Sequence, residues 1–340
     1  MNILKGSCTP MLIEFRVANH RSIREEQALT FAAGRGGDPA DGRQRAVAGA
    51  TEVLLPLAAI YGANASGKSN ILAALAFMRD AVADSHRIWV PEGGVPRDPF
   101  AWAERSTPSL FELTFLVGGT RFEYGFSTDG EAFLEEWLYA WPLGHKQIWF
   151  ERDRQEIKFG EKLKGENRIV AEVTRPNALF LSASAQLQHE QLRPVYRWIT
   201  RIQVESLPYV RLDPPSRQWA RLGLLSAERG EQSATIPQPR EAGSERRFAG
   251  LLALLRAADV GIVDAKLVEE EGHSPRGYSG GPRRRVYLRH EGSESAWLPL
   301  DEESHGTQTL FRLAAPLLEV IERGGVFVVD ELERSLHPLL

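Results

Sequence analysis

The stretch Tyr61-Gly62-Ala63-Asn64-Ala65-Ser66-Gly67-Lys68-Ser69-Asn70 constrains this chain more than any other, because it satisfies the phosphate-cradling pattern G-x-x-x-x-G-K-[ST] without mismatch. It follows the apolar run Val53-Leu54-Leu55-Pro56-Leu57-Ala58-Ala59-Ile60, which predicts a buried strand. It precedes Ile71, Leu72, Leu75, Met78, Ala81 and Val82, which recur at helical spacing. Strand, loop and helix are the context the motif requires. Gly62 and Gly67 let the backbone turn, so that the N–H groups of Ala63, Asn64, Ala65 and Ser66 and the helix N-terminus face a phosphate. Lys68 is expected to reach the β- and γ-phosphates and Ser69 to bind Mg²⁺, and Asn70 is counted with the loop among the nucleotide-binding residues.

The rest of the composition narrows the class. With 340 residues, 43% hydrophobic and 25% charged, the chain is long enough for one large or two moderate domains. Its net charge of −4 produces no global field toward nucleic acid or an anionic membrane, so any such site is a local patch. Only seven of the 41 basic residues are Lys, which lowers the weight of any single Arg. The one cysteine, Cys8, rules out an intrachain disulfide framework or Cys-based metal site and suits a cytoplasmic location. No apolar run approaches the roughly 18 residues of a membrane span, so no membrane partner is expected. Residues 1–10 lack periodicity and are expected to be a disordered extension, with Met11 opening the first strand.

Leu12 to Val17 alternates as a half-buried strand should, and Gln27 to Ala32 is placed to pair with it. Gly34 to Gly49 and Pro91 to Pro99 read as loops. From Phe111 the period becomes two: Phe111–Val117, Arg121–Phe126, Ala132–Trp141, Gln147–Phe150 and Glu156–Phe159, joined by Gly-Gly, Thr-Asp-Gly, Pro-Leu-Gly and Arg-Asp-Arg turns. This predicts an antiparallel meander beside a nucleotide core, together spanning 11–185. Ala178 to Ser182 reads as a short apolar strand, followed by Gln186 and a helix from about Gln188 to Ile202. Residues 206–245 read as irregular. A helix around Phe248–Leu255 and strands at Ile262–Val268 and Val286–Leu288 follow, with Glu269 to Arg285 as a loop between them. The whole of 186–299 is expected to be an inserted, mainly helical arm with mobile loops.

Val326-Phe327-Val328-Val329-Asp330-Glu331 places two carboxylates at the end of an apolar run, the Walker B pattern. Such a strand delivers Asp330 to the Mg²⁺ that Ser69 also contacts, and Glu331 to orient or deprotonate the attacking water. Lys68 and Asp330 are 262 residues apart, so a large insertion lies between them. Upstream stands Glu302-Glu303-Ser304-His305-Gly306-Thr307-Gln308, followed by Leu310, Leu313, Ala314, Leu317, Leu318 and Ile321 on one helix face. Ser304 is thus a cap residue and Gly306 a close-approach residue at a second anion-facing helix N-terminus. Pro316 inside this helix is expected to kink it.

Ser304-His305-Gly306-Thr307-Gln308 resembles the ABC signature in the S-x-G-T-Q form used by SMC-, Rad50- and RecF-like ATPases. Val329 to Pro338 resembles their Walker B and D-loop. With Leu12 to Ile23, the pattern is most similar to the prokaryotic AAA15 ATPases of the OLD-like group, found among anti-phage defence ATPases. The resemblance implies an α/β fold: an ABC-type P-loop ATPase head with an antiparallel β subdomain and a large α+β insertion between Walker A and the signature motif. It implies ATP with Mg²⁺ as cofactors and head-to-tail homodimerisation. Ser304 and Gly306 of one copy would close on the γ-phosphate held by Lys68 of the other. Gln186, with Gln188 as rival, would be the Q-loop residue, and His337 a D-loop interface group. It also implies that residues 300–340 hold the signature helix and Walker B, and that the reading frame continues past Leu340 with another strand and a switch histidine. Asn19 and Arg21 either approach the nucleotide or form a plain strand-end turn.

Three functions fit. The first is an ATP-hydrolysing switch that acts with an effector, encoded nearby or as a C-terminal domain, in anti-phage defence, nucleic-acid-linked stress response or repair. The second is a transporter subunit, disfavoured by the long insertion. The third is a non-hydrolysing ATP clamp, disfavoured by Glu331. Arg276, Arg283, Arg284, Arg285 and Arg289 with Tyr278 and Tyr287 either grip nucleic acid or form a solvated loop. Asp301, Glu302 and Glu303 are read as acids that open the signature helix.

Overall fold

Period-two alternation builds the first half of the molecule. In the computed structural model, which describes residues 10–34, 42–104, 106–206, 244–257, 261–273, 279–292 and 297–332, β1 (Met11–Ala18), β2 (Gln27–Thr30), β3 (Ser109–Val117), β4 (Thr120–Thr128), β5 (Phe133–Trp141), β6 (Gln147–Asp153) and β7 (Glu156–Phe159) form one antiparallel sheet. Its order is β2-β1-β3-β4-β5-β6-β7. The meander strands therefore pair with their sequence neighbours, and β1 joins them through β3, with Phe15 opposite Leu113 and Val17 opposite Phe111. The fold is α/β with an antiparallel sheet, as expected.

One face of this sheet is the core. Phe15, Val17, Phe111, Leu113, Phe115, Tyr124, Phe126, Leu138 and Phe150 are buried against Ala74, Leu75, Met78, Ala81 and Val82 of α1 (Lys68–Asp84). Each such side chain contributes on the order of 1.5–3 kcal/mol by leaving water. The core is completed by α2 (Asn167–Val173), α3 (Phe180–Gln186) and α4 (Arg193–Thr200). Trp198 of α4 stacks on Phe115 with centroids 4.2 Å apart.

A buried polar centre pins α3 to the meander. Glu136 of β5 accepts the Phe180 and Leu181 N–H groups at 2.6 and 3.0 Å and the Tyr124 hydroxyl at 3.0 Å. Arg152 of β6 lies 3.5 Å from Glu136, both side chains fully buried, and donates to the Ala178 carbonyl at 2.6 Å. Burial raises the Glu136 pKa, while Arg152 and the helix N–H groups pull it back. This centre explains why the expected strand at Ala178–Ser182 is instead the start of a helix: a carboxylate occupies the N–H groups that open it.

The second correction concerns Val53–Ile60, which is not a strand. Leu54 alone is buried, in isolated bridges to Ala32 and Arg45, and Leu57 is 73% exposed. Pro56 removes one ladder N–H, and no neighbouring strand pairs with this run among the described residues.

The chain divides into two units, Met1–Val204 with Gly324–Val328, and Glu205–Arg323 with Val329–Leu340. The sheet just described belongs to the first, so the division does not fall at 185/186. In the first unit the Gln203 N–H donates to the Val326 carbonyl at 2.9 Å; the residues of the two-stranded pair β8 (Gln203–Ser206) and β12 (Phe327–Asp330) are divided between the two units. In the second unit β9 (Ile262–His273), β10 (Ser279–His290) and β11 (Trp297–Pro299) form an antiparallel sheet. Its core holds Ala265, Val286 and Leu288 with Leu251 and Leu255 of α5 (Ser244–Ala257) and Phe311 and Ala314 of α6 (His305–Arg323). Strand residues thus outweigh helix among the described residues of 186–299, against the expected mainly helical arm. Arg283, Arg284 and Arg285 continue β10 rather than forming a loop, because Arg283 stands in register with Glu270 and Arg284 with Glu269. Pro316 lies buried inside α6, which runs unbroken. The expected extension at 1–9, most of the irregular 206–245 segment, and His337 lie outside the described residues.

Candidate nucleotide-binding site

The phosphate loop is built from its own backbone. Ala65 has φ +63° and Gly67 φ +94°, the left-handed turns that swing the chain into the first residue of α1, Lys68. At Gly67 a side chain would be strained and would meet Ser22 Oγ at 3.0 Å. The Ser66 N–H donates to the Ala63 carbonyl at 3.2 Å, and the Asn70 and Ile71 N–H groups donate to the Gly67 carbonyl at 2.9 and 3.3 Å. Lys68 Nζ folds over the loop and donates to the Gly62 and Ala63 carbonyls at 2.8 and 3.0 Å. Gly62 through Ser66 and Ser69 are exposed, so the loop at the N-terminus of α1 is open to solvent, where a helix dipole favours an anion. An ammonium on a flexible stem, held at a glycine-turned loop by two of its carbonyls, is a cation that can be turned to a polyphosphate.

A contact that pattern matching missed braces this loop. Asn70 Nδ2 donates to Ser22 Oγ at 2.6 Å, and Ser22 belongs to the tight turn His20–Ile23 between β1 and β2. Asn19, in contrast, is buried structural glue: its side chain donates to the Thr107 and Pro108 carbonyls and accepts the Phe100 N–H. Arg21 turns to Asp98, with Nε 3.2 Å from Oδ2. Of the two open readings for this pair, the strand-end turn describes Asn19.

Gln186 closes α3, exposed, and so does not follow a strand as expected; Gln188 is also exposed, with φ +58°. The helix α3 packs on α1, which the phosphate loop opens.

In the second unit Ser304 caps α6 as expected. Its Oγ accepts the Thr307 N–H at 3.1 Å, and Gln308 Nε2 donates to the Glu303 carbonyl at 2.9 Å. Ser304 and His305 are exposed at this N-terminus, and Gly306 is half-buried. The preceding acids are engaged: Asp301 with Arg285, which holds its carboxyl below the usual range, and Glu303 with His290 at 2.6 Å. Asp330 ends β12, and Glu331 follows with φ +55°. A glutamate in this left-handed conformation costs on the order of 1 kcal/mol, the kind of local strain that collects at working positions.

Two of the basic residues weighed for nucleic acid are committed to acids. Arg285 pairs with Asp301 and Glu302, and Arg289 with Asp264 at 3.6 Å. Lys266 and Arg289 both lie over the Trp297 ring, at 4.1 and 5.7 Å from its centroid. Arg276 and Tyr278 lie outside the described residues.

The family model described as "AAA domain, putative AbiEii toxin, Type IV TA system" matches residues 57–340, from the run before the phosphate loop through Walker B. The chain belongs to this AAA family. Membership makes it one of the AAA-type ATPases, in agreement with the resemblance read from the motifs. No curated protein matches this AAA-domain chain. Among solved structures it is similar to the Smc head domain with an extended coiled coil bound to the C-terminal domain of ScpA derived from Pyrococcus furiosus, at 11% identity, covering 96% of this chain and 83% of that one, with TM-score 0.42. It is also similar to the SMC head domain from Thermotoga maritima, at 11% identity over 96% and 80% of the two chains with TM-score 0.37. A third is the recombination mediator RecF with ATP, at 14% identity over 99% and 89% with TM-score 0.38.

Proposed function

We propose that this AAA-family chain is a Mg²⁺-dependent ATPase that switches by closing head to tail on a second copy. The observation that carries the reading is the phosphate loop itself, with left-handed Gly67, exposed residues Gly62 to Ser66 and Lys68 Nζ bonded to the Gly62 and Ala63 carbonyls. Gly62, Ala63, Asn64, Ala65, Ser66, Gly67, Lys68, Ser69 and Asn70 bind the triphosphate, and Glu331 takes the proton of the attacking water. Ser69 and Asp330 supply oxygen donors of the kind Mg²⁺ prefers. That ion is usually held by one or two carboxylates plus phosphate oxygens, so it needs no dense acidic cluster. When bound it would supply positive charge against the phosphates. Gln186 is assigned to sense that region.

Ser304 and Gly306 are assigned to the γ-phosphate of the partner copy. The exposed, side-chain-capped N-terminus of α6 supports this, because a helix dipole at an exposed N-terminus favours an anion. The biological role proposed is a cytoplasmic one, anti-phage defence or nucleic-acid-linked stress response with an effector protein. Light scattering of the full chain carrying Glu331→Gln tests the switch. Mass doubles with Mg-ATP, and Ser304→Arg prevents it; an unchanged mass, or a dimer indifferent to Ser304→Arg, removes the trans site.

A further inference from the structure

A nucleotide also carries a base, and the phosphate-loop pattern says nothing of what meets it. The turn Asn19–Ile23 touches two places at once. On one side Ser22 Oγ accepts the Asn70 amide at the first turn of α1. On the other, the Arg21 N–H donates to the Asp98 carbonyl at 2.7 Å, and the buried Asn19 Oδ1 accepts the Phe100 N–H at 2.9 Å. The turn therefore clamps the segment Asp98–Trp102 to the same corner of the molecule as the phosphate loop. Arg97 fixes the segment from behind, donating to the Thr107 carbonyl at 2.7 Å.

Trp102 is the conspicuous member of this segment. It is 86% exposed, and among the described residues its ring contact is edge-on to Phe100, at 5.3 Å between centroids, which leaves the indole faces open there. A tryptophan left in water on an anchored segment contributes little to the core and presents a rigid π surface. Four residues from Asp98, it lies within roughly 15 Å of the Arg21 contact even for a fully extended chain. We propose that Trp102 is the base-stacking platform for the nucleotide whose phosphates the loop Gly62–Asn70 holds. The inference rests on the reading of that loop as a triphosphate site. Stacking tolerates any base with a broad π face, so the ligand class is a purine nucleoside triphosphate without discrimination between adenine and guanine at this contact. Tyr61 is also exposed, at 91%, but it adjoins Gly62 and so stands at the phosphate end.

Calorimetric titration of the full chain with ATP, GTP and inorganic tripolyphosphate separates base from phosphate. Trp102→Ala is expected to weaken ATP and GTP binding by about 10- to 100-fold, the range alanine substitution gives at base-stacking aromatics. Trp102→Phe should keep most of the affinity, and tripolyphosphate binding should be the same in all three proteins. Unchanged ATP affinity in Trp102→Ala, or a loss shared with tripolyphosphate, overturns the assignment. So does a loss found in Tyr61→Leu instead. If the wild type binds neither ATP nor tripolyphosphate, the triphosphate site itself fails and the platform with it.

Discussion

Asn70 Nδ2 and Ser22 Oγ, 48 residues apart in sequence, meet at 2.6 Å and tie the first turn of α1 to the turn between β1 and β2. The phosphate loop is thereby referenced to the antiparallel sheet and not only to its own helix. Ser22→Ala leaves the Asn70 amide without this acceptor. The expected cost is about 1 kcal/mol in urea unfolding, with a weaker nucleotide affinity, because a looser loop orders more on binding. Ser22→Thr should restore both if the hydroxyl is what matters.

His20, in the same turn, is 2% exposed between Phe77 and Phe111, and neither ring nitrogen has a hydrogen-bond partner among the described residues. Burial, assisted by Arg21 and opposed by Asp98, lowers its pKa to about 4. The unfolded chain, with its ordinary value near 6.5, binds more protons between those limits, so stability falls as pH drops from about 6.5 to 4. The loss amounts to at most about 3 kcal/mol. Thermal melts of His20→Phe across that window should be flatter than those of the wild type; a parallel profile would show that His20 is not held neutral.

Glu112, on the outer face of β3, behaves oppositely. Burial, then the Glu123 charge, raises its pKa to about 7, against the pull of Arg16. The folded state holds the extra proton, so this group's contribution is intact below about pH 4.5 and is lost as pH rises through 7. Glu112→Gln should raise the melting temperature at pH 8 and change it little at pH 5.

The pair Glu136 and Arg152 is buried and hydrogen-bonded throughout. Glu136→Ala strands a guanidinium inside the core and is expected to cost about 3–5 kcal/mol in chemical denaturation. Glu136→Leu with Arg152→Leu should recover part of that loss, since neither charge is then left alone.

Sequence legibility followed periodicity. The meander was readable because each strand alternates and each turn carries Gly or Asp. The α1 face was readable from Leu72, Leu75, Met78 and Val82. Val53–Ile60 misled because an apolar run records burial potential, whereas a strand also needs a partner to pair with. Ala178–Ser182 misled because its helix is set by Glu136, 44 residues upstream of Phe180, which no local pattern reveals. A signal existed: Glu136 shares the phase of the inward-facing Leu138 and Ala140, and a charge in an apolar phase announces a buried partner. In the site, the loop was legible because its chemistry is local. Ser22 was not, because its contact with Asn70 joins segments 48 residues apart. The long strands β9 and β10 hid in a Gly- and Arg-rich composition that resembles a loop until Arg284 is set opposite Glu269.

The central claim is that Lys68 binds the triphosphate and Glu331 drives its hydrolysis. The direct measurement is ATP affinity and turnover in the full chain and in Lys68→Ala and Glu331→Gln. The account predicts that Lys68→Ala loses binding and turnover together, because no other side chain neutralises the phosphates from the loop, while Glu331→Gln binds ATP as the wild type does and does not hydrolyse it. Equal loss of ATP binding in both variants, or undiminished hydrolysis in Glu331→Gln, would contradict it.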